Sequence, residues 1–317
     1  MARESLISTS SVTRDIVAKL WNLCHILRDD GITYNEYVTE LTYLLFLKML
    51  AETGRESRLA EEYRWEELDK REGLEQLDFY RRLLLDLGNA KLVIDKGVLA
   101  IFGDAQTKLR KPTNLKALTD AIDRLDWFSA REEGLGNLYE GLLEKNAAEK
   151  KSGAGQYFTP RPLIDCIVRL IKPQAGETIQ DPAAGTGGFL VAADRYIKDL
   201  TNDFYTLKPE EAKFQRFEAY KGLELVPDTH RLCLMNLLLH GIECNVESGD
   251  SLSPDGESLG KADVILTNPP FGTKKGGGRP TRADFSVTAE TSNKQLAFVE
   301  HIYRALKPGG RAAVSLL

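Results

Sequence analysis

Hydrophobic positions follow two different patterns along the chain. From about residue 10 to residue 145, apolar residues recur every three or four positions, a spacing that predicts amphipathic helices. Two such stripes are Ile16, Leu20, Leu23 and Leu27, and Leu115, Leu118, Ile122 and Leu125. Residues 41–50 are apolar nearly all round and predict the central helix of a bundle. Gly31 and Gly54 stand where the first two helices would end.

The pattern changes near residue 145. Residues 145–155 are polar, contain glycine and predict a linker. Beyond them, short apolar runs alternate with amphipathic segments. Strands are predicted near 178–181, 219–225, 245–249, 262–267 and 311–316, and helices near 161–171, 188–199, 228–240 and 293–306. This alternation predicts an α/β domain with a parallel, doubly wound sheet. We therefore expect two domains, a helical one over 1–145 and an α/β one over 146–317.

Composition and charge narrow the class of protein. The 317 residues are 42% hydrophobic and 28% charged, which is typical of a soluble globular protein. No apolar run is long enough for a membrane span and the first residues lack a signal-peptide core, so we expect a cytoplasmic protein without a membrane partner. The four cysteines and four histidines are scattered, which predicts neither disulfides nor a metal site. The net charge of −5 means that nucleic-acid binding needs a local basic patch or a partner.

Residues 268–271 carry the strongest chemical signal. Asn268, Pro269, Pro270 and Phe271 follow the predicted strand 262–267. The two prolines fix the backbone and remove two N–H donors, so neither a strand nor a helix continues through them. The carboxyl end of a strand is where open α/β sheets place ligands. An amide, free backbone carbonyls and an aromatic ring suit a planar group with an exocyclic amine. Taken alone, the motif fits equally well a Pro-Pro turn above a buried phenylalanine.

A glycine-rich loop follows the first predicted strand. Gly185, Gly187 and Gly188 allow a sharp turn and a close approach of backbone to ligand. The dinucleotide fingerprint fails because Leu190 occupies its last glycine position, and no Gly-Lys-Ser/Thr follows to make a P-loop. The carboxylate of Asp181 beside the loop suits an ammonium group better than a pyrophosphate. The alternative is a plain turn capped by Asp181.

Two more acids end the next predicted strands. Glu224 stands where a carboxylate can bind two ribose hydroxyls, and Asp250 where one can accept from an adenine amine. Either acid alone is more often a solvated surface residue. Three acids at the ends of successive strands predict a nucleoside pocket.

In this order, the motifs resemble those of the S-adenosylmethionine-dependent amino methyltransferases of DNA. The closest resemblance is to the modification subunit of type I restriction-modification systems, a gamma-type N6-adenine methyltransferase. Residues 155–164 resemble its first cofactor motif, 181–190 its glycine loop, 268–271 its catalytic tetrapeptide, 306–311 the turn before its fifth strand, and 138–143 its domain junction. The resemblance is weak over residues 1–130 and strong from about residue 135. It implies a Rossmann-like sheet preceded by a helical domain that contacts a partner or clamps DNA.

The resemblance also implies roles for individual residues. The methionine end of the cofactor would lie against Asp181, Gly185, Thr186, Gly187 and Gly188. The walls of that pocket would be Tyr157, Phe158, Thr159 and Phe189. Glu224 would bind the ribose and Asp250 the cofactor's adenine. Asn268 and the Pro269 carbonyl, on the platform that Pro270 completes, would polarise the target amine, and Phe271 would stack on a flipped base. Methyl transfer would be direct and in-line, without a covalent intermediate.

A basic, glycine-rich loop follows the tetrapeptide. Residues 272–282 include Lys274, Lys275, Arg279 and Arg282. We expect these side chains to contact DNA phosphates and the loop to order on binding. The alternative is a solvated surface loop.

Departures from the family pattern leave other readings open. Ala184 replaces a frequent cysteine, a change from one small residue to another. The chain ends at Leu317, in or just after the fifth strand, so we expect a truncated product or an expressed fragment. The resemblance implies DNA, a target-reading specificity subunit and a restriction subunit as partners. Two alternatives are an amino methyltransferase of RNA or of protein glutamine, and an inactive fragment that only binds cofactor or assists assembly.

Overall fold

The computed structural model describes residues 11–28, 31–132, 134–149, 159–244, 246–273 and 278–315. It forms two compact units, Met1–Ser152 and Gly153–Leu317. In the described part of the chain, no helix combines the length and the apolar character needed to span a membrane.

The first unit is helical, as predicted. Its helices are α1 Ser11–Arg28, α2 Tyr34–Glu52, α3 Trp65–Asp69, α4 Gly73–Leu87, α5 Lys96–Phe102, α6 Pro112–Asp123, α7 Trp127–Glu132 and α8 Leu135–Glu149. Two short 3-10 helices, Glu56–Arg58 and Glu61–Tyr63, lie between α2 and α3. Every residue of 41–50 is buried, which confirms α2 as the central helix. Thr33 and Glu36 cap its first turn reciprocally, and Gly54 follows it with φ +67°.

The second unit contains a five-stranded parallel sheet. Its strands are β1 Ile179–Asp181, β2 Tyr220–Glu224, β3 Val246–Ser248, β4 Ala262–Thr267 and β5 Leu306–Val314. Its helices are α9 Arg161–Ile171, α10 Gly188–Thr201, α11 Pro209–Phe217, α12 Pro227–Leu239, α13 Asp255–Ser258 and α14 Lys294–Ala305. The strand order is β3-β2-β1-β4-β5 and every neighbouring pair is parallel. The predicted doubly wound sheet is confirmed.

The strand order reverses at β1. β2 and β3 lie on one side of β1, and β4 and β5 lie on the other. The loops that leave the carboxyl ends of β1 and β4 therefore diverge, and open α/β sheets bind ligands in the crevice between such loops. The core below includes Ile179, Leu190 and Val264, all fully buried. The sheet thus places residue 181 and residue 268 at neighbouring strand ends.

Two sequence predictions need correction. The predicted linker 145–155 begins as helix, because α8 continues to Glu149 and Asn146 is buried. Residues 146–149 include two alanines and a glutamate, which favour helix over loop. The rest of that linker lies outside the described residues. The predicted turn at 306–311 lies within β5: Leu306 pairs with Ala262, Arg311 pairs with Val264, and the register shifts between them.

Candidate active site

The glycine loop connects β1 to α10 in a tight turn. Gly185 and Gly187 both have left-handed backbones, with φ +56° and +80°. A Cβ on Gly187 would lie 3.0 Å from the Sγ of Cys233, so this position also lacks space for a side chain. Asn236, a fully buried residue of α12, donates from Nδ2 to the Thr186 carbonyl at 2.9 Å. No sequence motif pointed to Asn236, because its role depends on α12 packing against the loop.

Asp181 ends β1 and is 1% exposed. Its Oδ1 accepts a hydrogen bond from the Ala183 amide at 3.0 Å. Burial raises the pKa of Asp181 to about 7, and the nearby charge of Glu224 acts in the same direction. A cation bound beside this carboxylate would stabilise its charged form.

Glu224 ends β2 and holds the glycine loop. Its Oε2 accepts from the Gly185 amide at 2.8 Å, and its Oε1 accepts from the Val226 amide at 2.9 Å. Burial raises the pKa of Glu224. Each carboxylate oxygen can accept more than one hydrogen bond, so both retain capacity for ligand hydroxyls.

Asp250 follows β3 and is half-buried. Its Oδ1 accepts from the Leu252 amide at 2.9 Å, and its own amide donates to Asp255 at 3.1 Å. The neighbouring hydroxyl of Ser251 donates to the Pro182 carbonyl. This contact ties the loop after β3 to the glycine loop. The three acids predicted for the site therefore stand at or just after the carboxyl ends of β1, β2 and β3.

The tetrapeptide leaves β4 at the neighbouring strand end. The Nδ2 of Asn268 donates to the hydroxyl of Thr159 at 2.9 Å. The Oδ1 of Asn268 is buried and has no hydrogen-bond partner among the residues that the structure describes. Pro269 is buried and Phe271 is half-buried. The Lys294 amide donates to the Gly272 carbonyl at 3.0 Å, which fixes the exit of the tetrapeptide to the start of α14.

Three aromatic residues were predicted as walls of the cofactor pocket: Tyr157, Phe158 and Phe189. Tyr157 and Phe158 lie outside the described residues. Phe189 is 3% exposed and belongs to the core cluster beneath the loop. We therefore assign Phe189 to packing rather than to the pocket surface. The first turns of α10, residues 189–194, are buried throughout, which the sequence motif does not specify.

The basic loop is only partly what the sequence predicted. Lys274 and Lys275 lie outside the described residues. Arg279 is exposed and forms an ion pair with the exposed Glu290. Arg282, in contrast, is 8% exposed, so the prediction that it contacts DNA phosphate is wrong.

Arg282 is instead a buried structural residue. Its guanidinium binds both carboxylate oxygens of Asp284, each at 2.8 Å. It also donates to the Ser251 carbonyl at 3.3 Å and to the His301 Nδ1 at 3.1 Å. Burial and the Arg282 charge lower the pKa of His301 to about 4, so its ring is neutral and can accept. A Cβ on Gly256 would lie 2.5 Å from the guanidinium, so glycine there leaves room for it.

Replacing Arg282 with glutamine is expected to lower the free energy of unfolding of the second unit by about 2 kcal/mol, because it removes the buried guanidinium that binds Asp284, the Ser251 carbonyl and the His301 ring. Arg279→Gln is the matched control, since it removes the same charge from the same loop. That exposed pair contributes less than about 1 kcal/mol. Urea denaturation measures both variants. Equal effects would contradict the structural assignment of Arg282.

Glu300 on α14 anchors the segment that follows the basic loop. It is 6% exposed and accepts from the Ser286 amide at 2.8 Å. The amide and hydroxyl of Thr288 each donate to it at 2.6 Å, and Arg304 forms an ion pair with it at 2.8 Å. Burial opposes its charge, but these donors outweigh burial and hold the pKa of Glu300 well below its usual range. The backbone of residues 286–288 is therefore held against α14.

A parallel sheet of order β3-β2-β1-β4-β5, with a glycine loop after β1 and acids after three successive strands, defines an α/β methyltransferase fold. A family model described as N-6 DNA Methylase matches residues 130–317, and one described as HsdM N-terminal domain matches residues 16–145. The chain belongs to the N-6 DNA methylase family, as the resemblance of its motifs implied, and its first unit is the HsdM N-terminal type.

Relatives agree with this assignment. The chain is 51% identical to the type I restriction enzyme EcoKI methylase subunit of Escherichia coli K12, over 95% of this chain and 58% of that protein. It is 32% identical to the EcoEI methylase subunit of Escherichia coli, over 87% of this chain and 59% of that protein. A solved structure from work on complex assembly of the type I R-M system has a TM-score of 0.72 at 27% identity, covering 95% and 64% of the two chains. The chain thus spans less than two thirds of the length of these relatives.

Proposed function

We propose that this chain transfers a methyl group from S-adenosylmethionine to the N6 amine of adenine in DNA, as the modification subunit of a type I restriction-modification complex. One observation carries the proposal. The Asn268 carboxamide oxygen is buried without a hydrogen-bond partner among the described residues, at the strand end next to Asp181. A buried acceptor without a donor is costly unless a ligand supplies one. An exocyclic amine would supply it.

The residues around β1, β2 and β3 fit the cofactor. Asp181 is a buried carboxylate whose pKa is raised to about 7, so a cationic ammonium would stabilise it. Glu224 retains lone pairs for two ribose hydroxyls, and Asp250 is half-exposed where an adenine amine would lie. Gly185 and Gly187 allow a close backbone approach. When bound, S-adenosylmethionine supplies a methyl group on a positively charged sulfur.

The chain's own residues would act on the acceptor amine. The Asn268 Oδ1 and the Pro269 carbonyl accept hydrogen bonds from the two amine hydrogens, which leaves the nitrogen lone pair available for attack. Positive charge would develop on the nitrogen as it takes up the methyl group from the cofactor, whose sulfur would keep the electron pair of the broken bond, and these two acceptors would stabilise that charge. The nitrogen then loses a proton to solvent. Phe271 would stack on the base, which has to leave the duplex to reach the platform.

Partners follow from the relatives. The EcoKI and EcoEI relatives are described as methylase subunits of type I restriction enzymes. We propose that a specificity subunit reads the DNA target and that a restriction subunit joins the complex. The first unit would contact a partner or clamp DNA. Arg279, Lys274 and Lys275 remain the proposed phosphate contacts beside the tetrapeptide.

A labelling experiment tests the proposal. The chain, with a specificity subunit, is incubated with methyl-labelled S-adenosylmethionine and unmethylated DNA, and the DNA is digested to nucleosides. We expect the label in N6-methyladenine. Parallel incubations with RNA and with protein test the alternative substrates, and label found only there would contradict DNA as substrate. Calorimetric titration with S-adenosylmethionine measures cofactor binding separately from methyl transfer. One-to-one binding without any methyl transfer would indicate that the chain only binds the cofactor.

A further inference from the structure

One hydrogen bond joins the two halves of the proposed site. The Nδ2 of Asn268 donates to the Thr159 Oγ1 at 2.9 Å. Thr159 lies in the segment whose sequence resembles a cofactor motif, whereas Asn268 belongs to the tetrapeptide. The family resemblance implied that Thr159 lines the cofactor pocket, and in the structure its hydroxyl accepts a hydrogen bond from the Asn268 amide.

Thr159 lies directly before the first turn of α9. It precedes Pro160, which restricts it to extended backbone. The Pro160 carbonyl accepts from the first amides of α9, those of Leu163 at 3.0 Å and Ile164 at 3.1 Å. α9 is fixed in turn by an ion pair of 2.6 Å between Asp165 and Arg195 of α10. The position of the hydroxyl is therefore set by the fold.

Asn268 is equally constrained in its backbone. It follows Thr267, a fully buried residue paired with β5, and precedes two prolines. The terminal amide of Asn268 can still rotate, because the torsion angle that orients it has a broad, two-fold preference. The two orientations exchange a carbonyl oxygen for an NH2 group. Only the orientation with the oxygen toward the target amine accepts a hydrogen bond from it.

We propose that Thr159 is a positioning residue that fixes the amide of Asn268. Its hydroxyl oxygen accepts one N–H of Asn268, and this leaves the carboxamide oxygen as the buried acceptor without a partner. The rotated amide would present an NH2 group to the target amine, two donors facing each other. This inference rests on the proposed function, since it concerns the same reaction.

Thr159→Val removes the hydroxyl and keeps the shape of the side chain. We expect kcat for DNA methylation by the complex to fall about tenfold, as for the loss of one hydrogen bond of about 1.4 kcal/mol. The affinity for S-adenosylmethionine should stay within about twofold by calorimetry. Thr159→Ser, which keeps the hydroxyl, should restore most of kcat. Thr206→Val is the matched control, because it removes a hydroxyl bond of 3.1 Å to Thr201 outside the site and should leave kcat unchanged.

Either of two results would overturn the proposal. An unchanged kcat in Thr159→Val would show that the hydroxyl does not position the amide. A loss of cofactor affinity, with kcat restored at saturating cofactor, would show that Thr159 binds the cofactor and does not position Asn268.

A second readout does not depend on activity. The side-chain amide protons of Asn268, assigned in NMR spectra by their loss in Asn268→Asp, should shift in Thr159→Val and not in Thr206→Val. Unchanged signals in Thr159→Val would refute the hydrogen bond. A wild-type complex that binds cofactor but methylates no DNA would instead refute the proposed function, and the NMR comparison would still decide whether Thr159 orients Asn268.

Discussion

Replacing Asn268 with alanine is expected to lower the rate of methyl transfer by about a thousandfold. The substitution removes the buried carboxamide oxygen, which is the side-chain acceptor for the target amine. The Pro269 carbonyl remains, but the second hydrogen of the amine loses its acceptor and the developing charge loses its nearest partial negative charge. Single-turnover labelling of DNA by the complex measures the rate.

The affinity for S-adenosylmethionine should change less than about twofold in Asn268→Ala, because this side chain contacts the amine that receives the methyl group and not the cofactor that supplies it. Asn268→Asp should lose less activity than alanine, since it keeps an oxygen acceptor. Asn89→Ala, an exposed asparagine of the helical unit, is the matched control. If Asn268→Ala kept a tenth or more of the wild-type rate, catalysis would not depend on the carboxamide.

Asp181→Asn is expected to weaken S-adenosylmethionine binding by about a hundredfold at pH 8, as for a charge-assisted hydrogen bond of roughly 3 kcal/mol. The asparagine keeps an acceptor for the Ala183 amide but has no charge for the ammonium group. Asp194→Asn is the matched control, because Asp194 is also a buried acid of the second unit and pairs with Lys198 at 2.7 Å. Calorimetry measures all three proteins. If Asp181→Asn bound S-adenosylmethionine as tightly as the wild type, Asp181 would not be part of the cofactor site.

The raised pKa of Asp181 predicts how the affinity for the cofactor changes with pH. The pKa of Asp181 is about 7, so the group is protonated below that pH and charged above it. Cofactor affinity should therefore rise with pH between about 6 and 8 in the wild type, and this rise should be absent in Asp181→Asn. A wild-type affinity independent of pH in this range would contradict the raised pKa.

The free energy of unfolding should fall as the pH rises, in contrast to the cofactor affinity. The folded pKa of Asp181 lies above the ordinary value of 3.8, so the folded state keeps a proton that the unfolded state has lost. The folded state therefore loses stability as the pH rises from about 4 to 7, and the full loss persists above pH 7. Asp181→Asn should raise the melting temperature at pH 8, and this gain should shrink as the pH falls to 5.

Local rules accounted for most of the fold. The apolar spacing predicted the helices of the first unit because a buried stripe requires side chains every three or four residues. Short apolar runs between helices predicted the parallel sheet, because both faces of such strands are covered. The predicted linker began too early in the chain, because polar residues such as Asn146 can be buried in a helix when a neighbour covers them. The sequence of 145–149 carries no sign of that neighbour.

The residues of the candidate site could likewise be predicted only in part from the sequence. The glycine loop, the acids at the ends of β1 and β2 and the Asn268 tetrapeptide could be found from the sequence, because each depends on backbone geometry within a few residues of a strand end. Arg282 could not be assigned correctly. Basic residues in a polar loop usually face solvent, and its burial depends on Ser251 and His301, which are distant in the chain.

The sequence by itself therefore determined which segments are helix or strand, where the backbone turns for a ligand, and which functional groups end the strands. Only the tertiary structure decided the raised pKa of Asp181, the burial of Arg282 and the contact of Thr159 with Asn268. The physical reason is that turns and helices follow from neighbouring residues, whereas desolvation and side-chain hydrogen bonds depend on groups brought together from separate parts of the chain.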